Sequence, residues 1–86
     1  MVVQNLIIIP NPAQDLIQLD LNVIHAGKGV IRVIDTSGKT VLEKSAGNLT
    51  AGQQSVFLKI NLLPQGIYTC SITLEGQTIS TTFTKY

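Results

Sequence analysis

Leu63-Pro64-Gln65-Gly66-Ile67-Tyr68-Thr69-Cys70 is the stretch that decides how this chain is read. An alternating run ends just before it and another begins inside it. Pro64 has a fixed φ and no backbone N–H, so an incoming strand stops there. Gly66 takes φ > 0 without steric cost, which suits a tight corner. Tyr68 then opens a new strand with its ring inward, and its buried hydroxyl needs a partner.

Antibody-type sandwiches place a tyrosine at this kind of corner, near the start of a strand and two residues before a cysteine. Tyr68 and Cys70 have that spacing, and the corner therefore predicts a β-sandwich. Downstream, Tyr68, Cys70, Ile72 and Leu74 share one face, with Thr69, Ser71 and Thr73 opposite. Glu75-Gly76-Gln77 reads as a short turn. The last strand sets Ile79, Thr81 and Phe83 against Thr78, Ser80, Thr82 and Thr84. Upstream, Val56, Leu58 and Ile60 alternate with Phe57 and Lys59. Ser45 to Gln54 contains Gly47, Asn48 and Gly52 and reads as loop.

The first half of the chain has the same period of two. Ile17, Leu19, Leu21 and Val23 face one way, and Gln18, Asp20 and Asn22 the other, as in a half-buried antiparallel strand. Ala26-Gly27-Lys28-Gly29 reads as a turn. Val30 to Thr36 is a strand whose exit, Asp35-Thr36-Ser37-Gly38-Lys39, has Asx-turn chemistry at Asp35 and a φ > 0 candidate at Gly38. Thr40 to Lys44 is the return strand. Leu6-Ile7-Ile8-Ile9 predicts a buried first strand, closed by Pro10-Asn11-Pro12, where a ladder cannot continue. No long stretch has a helical apolar period. The fold class is all-β: an Ig-like antiparallel sandwich of about seven strands. The expected core is Ile17, Leu19, Leu21, Ile31, Val33, Val56, Leu58, Ile60, Tyr68, Cys70, Ile72 and Phe83.

Eighty-six residues make one domain, which buries roughly 60–65% of its unfolded surface. Charged residues are 13%, against about 25% in an average domain. The net charge is +1 with the signs interspersed, so there is no basic stripe for nucleic acid. No run of about 18 apolar residues exists to span a membrane as a helix. Met1 to Asn5 lacks a signal-peptide core, and residues 1–5 read as a linker or a cloning remnant.

The residues that carry chemistry do not assemble into a catalytic pattern. His25 is the one histidine and has no partner at a recognisable spacing, so it reads as an exposed loop residue. Cys70 is alone, which rules out an intramolecular disulfide, and its strand phase points inward, as for a structural thiol. Asp20 and Asp35 lie on different strands with simple roles. Gly27-Lys28-Gly29 lacks the following helix that a phosphate loop uses. Asn48-Leu49-Thr50 matches the N-glycosylation acceptor pattern. Neither a metal nor a cofactor is called for. Phe57 is the sole mid-strand aromatic for stacking a sugar, so a carbohydrate-binding module stands as one alternative. An Ig- or fibronectin-like accessory module that stabilises or spaces a neighbouring enzyme is another.

Four motifs occur in order: Ile9-Pro10-Asn11-Pro12, Val33-Ile34-Asp35 leading to Thr36-Ser37-Gly38-Lys39, the corner from Leu63 to Tyr68, and Thr82-Phe83-Thr84-Lys85. Together they resemble the type A C-terminal sorting domain of the Bacteroidetes type IX (Por) secretion system, over residues 6–86. The resemblance implies a non-catalytic sorting signal for a larger upstream cargo. It implies transit through the periplasm, passage across the outer membrane by the secretion machinery, and surface attachment or release. A sortase-like peptidase is the implied processing partner. Carried over residue by residue, the sorting-signal candidates are Gly66, Tyr68, Thr82, Phe83, Thr84 and Lys85. The turn motifs are Pro10, Asn11, Pro12, Asp35, Gly38, Leu63 and Pro64. Tyr86 after the lysine, Cys70 in an aliphatic place and Gln65 in place of alanine depart from the pattern. On physical grounds, Thr78, Ser80, Thr82 and Thr84 present a polar edge that a partner strand or a second copy would extend, although β propensity on a solvent face explains them equally.

Overall fold

The computed structural model describes residues 2–86. Seven strands follow one another: β1 (Val3–Ile9), β2 (Leu16–Val23), β3 (Gly27–Ile34), β4 (Thr40–Leu49), β5 (Gly52–Lys59), β6 (Gly66–Leu74) and β7 (Gln77–Lys85). They form a three-stranded sheet in the order β1-β2-β5 and a four-stranded sheet in the order β4-β3-β6-β7, with every ladder antiparallel. The inward residues of the two sheets interdigitate as one core, as sandwich packing requires. Relative to the ABED/CFG division of a constant-type immunoglobulin domain, the fourth strand lies in the other sheet.

Eleven of the twelve expected core residues are buried, and Val56 is half-buried against them. Alternation identified these residues because each strand has one wet face. The core also takes in Val3, Ile8, Ala13, Val23, Leu49 and Leu74. The tight hairpin between β6 and β7 turns at Glu75 (φ 49°) and Gly76 (φ 80°), the pair of left-handed residues that matches strand twist.

Three local expectations are corrected. The first strand is not buried. β1 is an edge strand, with Ile8 inward but Ile7 56% exposed, and Ile9 is also exposed. It starts at Val3, inside the stretch read as a linker, and Val3 pairs with Val23. Met1 lies outside the described residues. A bulge between Gln4 and Ile7, with Asn5 at φ 62°, re-aims the strand in its middle.

The segment Ala26 to Gly29 is not a turn. Gly27 and Gly29 lie inside β3, and the side chains of Glu75 and Leu49 occupy the space their own would need. Close approach selects glycine there, and in sequence this looks the same as a turn. Nor is Ser45 to Gln54 a loop. β4 runs on to Leu49 across a bulge that leaves Ala46 as the extra residue, with Gly47 at φ 71°. β5 already begins at Gly52, so only Thr50 and Ala51 carry the chain from one sheet to the other.

Candidate functional site

The corner that opened the sequence reading places the C-terminal strand. β5 ends at Lys59, Ile60 N donates to Asp15 O (2.8 Å), and Leu63 N closes a turn on Ile60 O (3.0 Å). Pro64 leaves its carbonyl free, and the Tyr68 hydroxyl donates to it at 2.5 Å. That bond over four residues is the tyrosine corner. Gly66, at φ 159°, is nearly extended rather than left-handed. The nearest side chain to its missing Cβ is the Tyr68 ring, at 4.0 Å.

The Tyr68 ring stacks on Phe83, its cross-strand partner on β7, with centroids 5.7 Å apart and an interplanar angle of 26°. Offset aromatic pairs of this kind contribute about 0.5–1.5 kcal/mol beyond burial. Both rings are in the core, so neither side chain lies on the surface of the folded domain. Lys85 is only 7% exposed, and its ammonium donates to the Tyr86 main-chain oxygen at 2.6 Å. The side chains that β7 shows to solvent are Thr78, Ser80 and Thr82, with Thr84 half-buried and Tyr86, just past the strand, 59% exposed.

Thr82, Ser80 and Thr78 lie beside Thr69, Ser71 and Thr73 of β6, so the outer face of this hairpin is a double column of hydroxyls. Thr73 Oγ1 and Thr78 Oγ1 are 2.8 Å apart. Arg32 on β3 is next to Ser71 and forms an exposed pair with Glu43.

The other edge of β7 is occupied at both ends. At its start, the Gln77 amide donates to Val3 O (3.0 Å) and accepts from the N–H groups of Val2 and Val3. At its end, the Pro10–Ala13 segment crosses from the other sheet. Thr84 N donates to Asn11 Oδ1 (2.9 Å), Ala13 N donates to Thr84 O (2.8 Å), and Tyr86 N donates to Ala13 O (2.8 Å). Sequence reading found the Pro10-Asn11-Pro12 turn and the C-terminal strand separately. It had no signal for joining them, because the bonds span more than seventy residues.

The Asx turn at Asp35 is as expected. Its Oδ1 accepts from Ser37 N (2.9 Å), Ser37 Oγ (2.6 Å) and Lys39 N (3.0 Å), and Gly38 is at φ 88°. The Ser37 hydroxyl first, then the Lys39 amide, holds the carboxyl below its ordinary value. Asp20 is lowered in the same way by Gln18 and Ser55, which donate to its Oδ1 at 2.7 Å each. This polar trio on the outer face of β2 and β5 went unnoticed in sequence.

His25 is exposed. Cys70 is fully buried, and desolvation pushes its thiol up to about 12, so it is a protonated core residue at neutral pH. No group of three or more metal-ligating side chains occurs among the described residues. Asn48 and Thr50 of the acceptor pattern are exposed at the end of β4. Phe57 is 52% exposed and borders a shallow depression of about 300 Å³ with Ile9, Pro10, Leu16, Ile17 and Gln18.

Seven strands in two sheets, a tyrosine corner and a core of aliphatic and aromatic side chains define a small immunoglobulin-like sandwich module. The family model of the secretion system C-terminal sorting domain matches residues 7–85, nearly the whole chain, and the chain belongs to that family. A search of curated proteins finds no match. Members of the family are sorting signals for type IX secretion, a Bacteroidetes pathway. Membership implies a cargo protein, a secretion machinery, and export to the cell surface or beyond.

Proposed function

We propose that this chain is a non-catalytic signal which the secretion machinery reads at the end of β7 after the cargo has reached the periplasm. A sortase-like peptidase then separates signal from cargo. The observation that carries the reading is the family match over residues 7–85, whose last matched residues are the strand that the corner and the Pro10–Ala13 segment hold in place. Of the sorting-signal candidates, Gly66, Tyr68, Phe83 and Lys85 shape and fix the strand. Thr82 and Thr84, with the neighbouring Tyr86, face outward.

The test is a reporter carrying an N-terminal signal peptide and this chain at its C-terminus, expressed in a host with the type IX system. Removing Thr84 to Tyr86 spares Phe83 and the core. It is expected to leave the reporter inside the outer membrane, with the thermal transition of the domain still present. Surface delivery equal to the parent would reject the reading. Loss of cargo stability with export intact would favour the accessory-module alternative.

A further inference from the structure

We propose that the sorting signal is composite, and that Asn11, far from the C-terminus in sequence, is a positioning residue for it. The inference rests on the sorting reading above and adds a component to it. Three hydrogen bonds join the Pro10–Ala13 segment to Thr84 and Tyr86, two from the Ala13 backbone and one to the Asn11 side chain. Ala13 is fully buried, and its parallel bridge to Lys85 extends the four-stranded sheet by a single residue from the opposite sheet. Backbone groups in an antiparallel ladder alternate in direction, so Thr84, which faces Asn11 and Ala13, turns its N–H and C=O away from β6. The edge of β7 at its functional end is therefore already filled.

Two consequences follow for the partner. A receptor that recognises the folded domain cannot add a strand along the end of β7, because Gln77 and the Asn11–Ala13 segment block the edge at its two ends. It reads side chains instead: the hydroxyl of Thr82 and the exposed ring of Tyr86, held on a backbone that Asn11 and Ala13 keep in register. Asn11 suits this role because its amide oxygen is an acceptor on a short side chain. The flanking prolines have no N–H of their own to compete for it.

The test compares Asn11→Ala, which deletes the acceptor, with Asn11→Asp, which keeps an oxygen there. Amide exchange is followed by NMR on the 86-residue chain, and surface delivery on the reporter fusion. Asn11→Ala is expected to speed exchange at Thr84 and Tyr86 by roughly tenfold, the scale of one lost hydrogen bond. Protection at Ile31 and Cys70 should stay at the parent level, and delivery should fall. Asn11→Asp is expected to restore both. The fusion lacking Thr84 to Tyr86 runs alongside. Normal delivery of that control rejects the sorting reading itself. If the control is retained while Asn11→Ala is delivered normally, or is retained with Thr84 still protected, the composite signal is overturned. Failure of Asn11→Asp to rescue also overturns it, since the acceptor would then not be what matters.

Discussion

Where β1 meets β7, amide and backbone groups join the two sheets at both ends of the contact. Where β4 meets β5, the chain itself turns between the sheets at Thr50 and Ala51, and Lys44 Nζ reaches across to Phe57 O at 3.1 Å. The first side is built from the Gln77 and Asn11 side-chain amides and from backbone groups, each with fixed backbone partners. The second is covered by a long lysine whose ammonium moves easily and which blunts an edge against unwanted pairing. In both cases a sheet edge has to be kept from sticking to other chains. Only the first solution also fixes the position of a strand, and it is applied to the strand that carries the sorting candidates.

The most damaging way to break this difference is to remove the anchor of the closed side. Phe83→Ala deletes a fully buried ring stacked on Tyr68 and is expected to cost about 3–5 kcal/mol in urea denaturation. For a domain of this size that is a large part of total stability. A loss below about 1 kcal/mol would mean that β7 is held by its edge alone. A milder comparison uses one variant on each side. Gln77→Ala removes the amide that bonds Val2 and Val3 and should cost about 1–2 kcal/mol, whereas Lys44→Ala should stay within about 0.5 kcal/mol. Equal effects would erase the distinction between the two sides.

Acid gives the smallest effect. Asp20 and Asp35 are both held below their ordinary 3.8 by hydrogen bonds, so the unfolded chain takes up their protons first as the pH falls. Their stabilisation is complete above that value and is lost as the pH drops through the lowered folded values. Neither carboxylate belongs to the β1–β7 contact. Asp35→Asn should therefore flatten the acid limb of stability in thermal melts below about pH 4, and leave exchange at Thr84 unchanged at neutral pH. A steeper acid limb in the variant would refute this linkage.

Much of the fold was legible because a two-layer sandwich writes itself into a chain as alternation. Ile17, Leu19 and Leu21 have polar neighbours, and so do Tyr68, Cys70 and Ile72. That period assigns their face without reference to any other strand. The misreadings come from residues whose environment is set by another strand. Gly27 and Gly29 look like a turn until Glu75 and Leu49 are seen occupying the space above them. Ile7 and Ile9 look buried until β1 proves to turn them to its outer face, with Ile8 alone of the three inward. Of the candidate site, the tyrosine corner was legible because donor and acceptor are four residues apart. The burial of Lys85 was not, since nothing local distinguishes a terminal lysine that folds inward from one that points out.

By itself, then, the sequence determined the class of fold, the phase of most strands, the corner at Pro64 to Tyr68 and the resemblance to a sorting domain that the family match bears out. These depend on local chemistry: fixed φ at proline, period-two alternation, and a hydroxyl seeking a nearby carbonyl. Tertiary structure alone decided that Pro10-Asn11-Pro12-Ala13 and Thr84-Lys85-Tyr86 form one unit. The reason is physical. Backbone hydrogen bonds between segments so far apart leave no periodicity in the chain, and they form only once the core has brought the edges of the two sheets together.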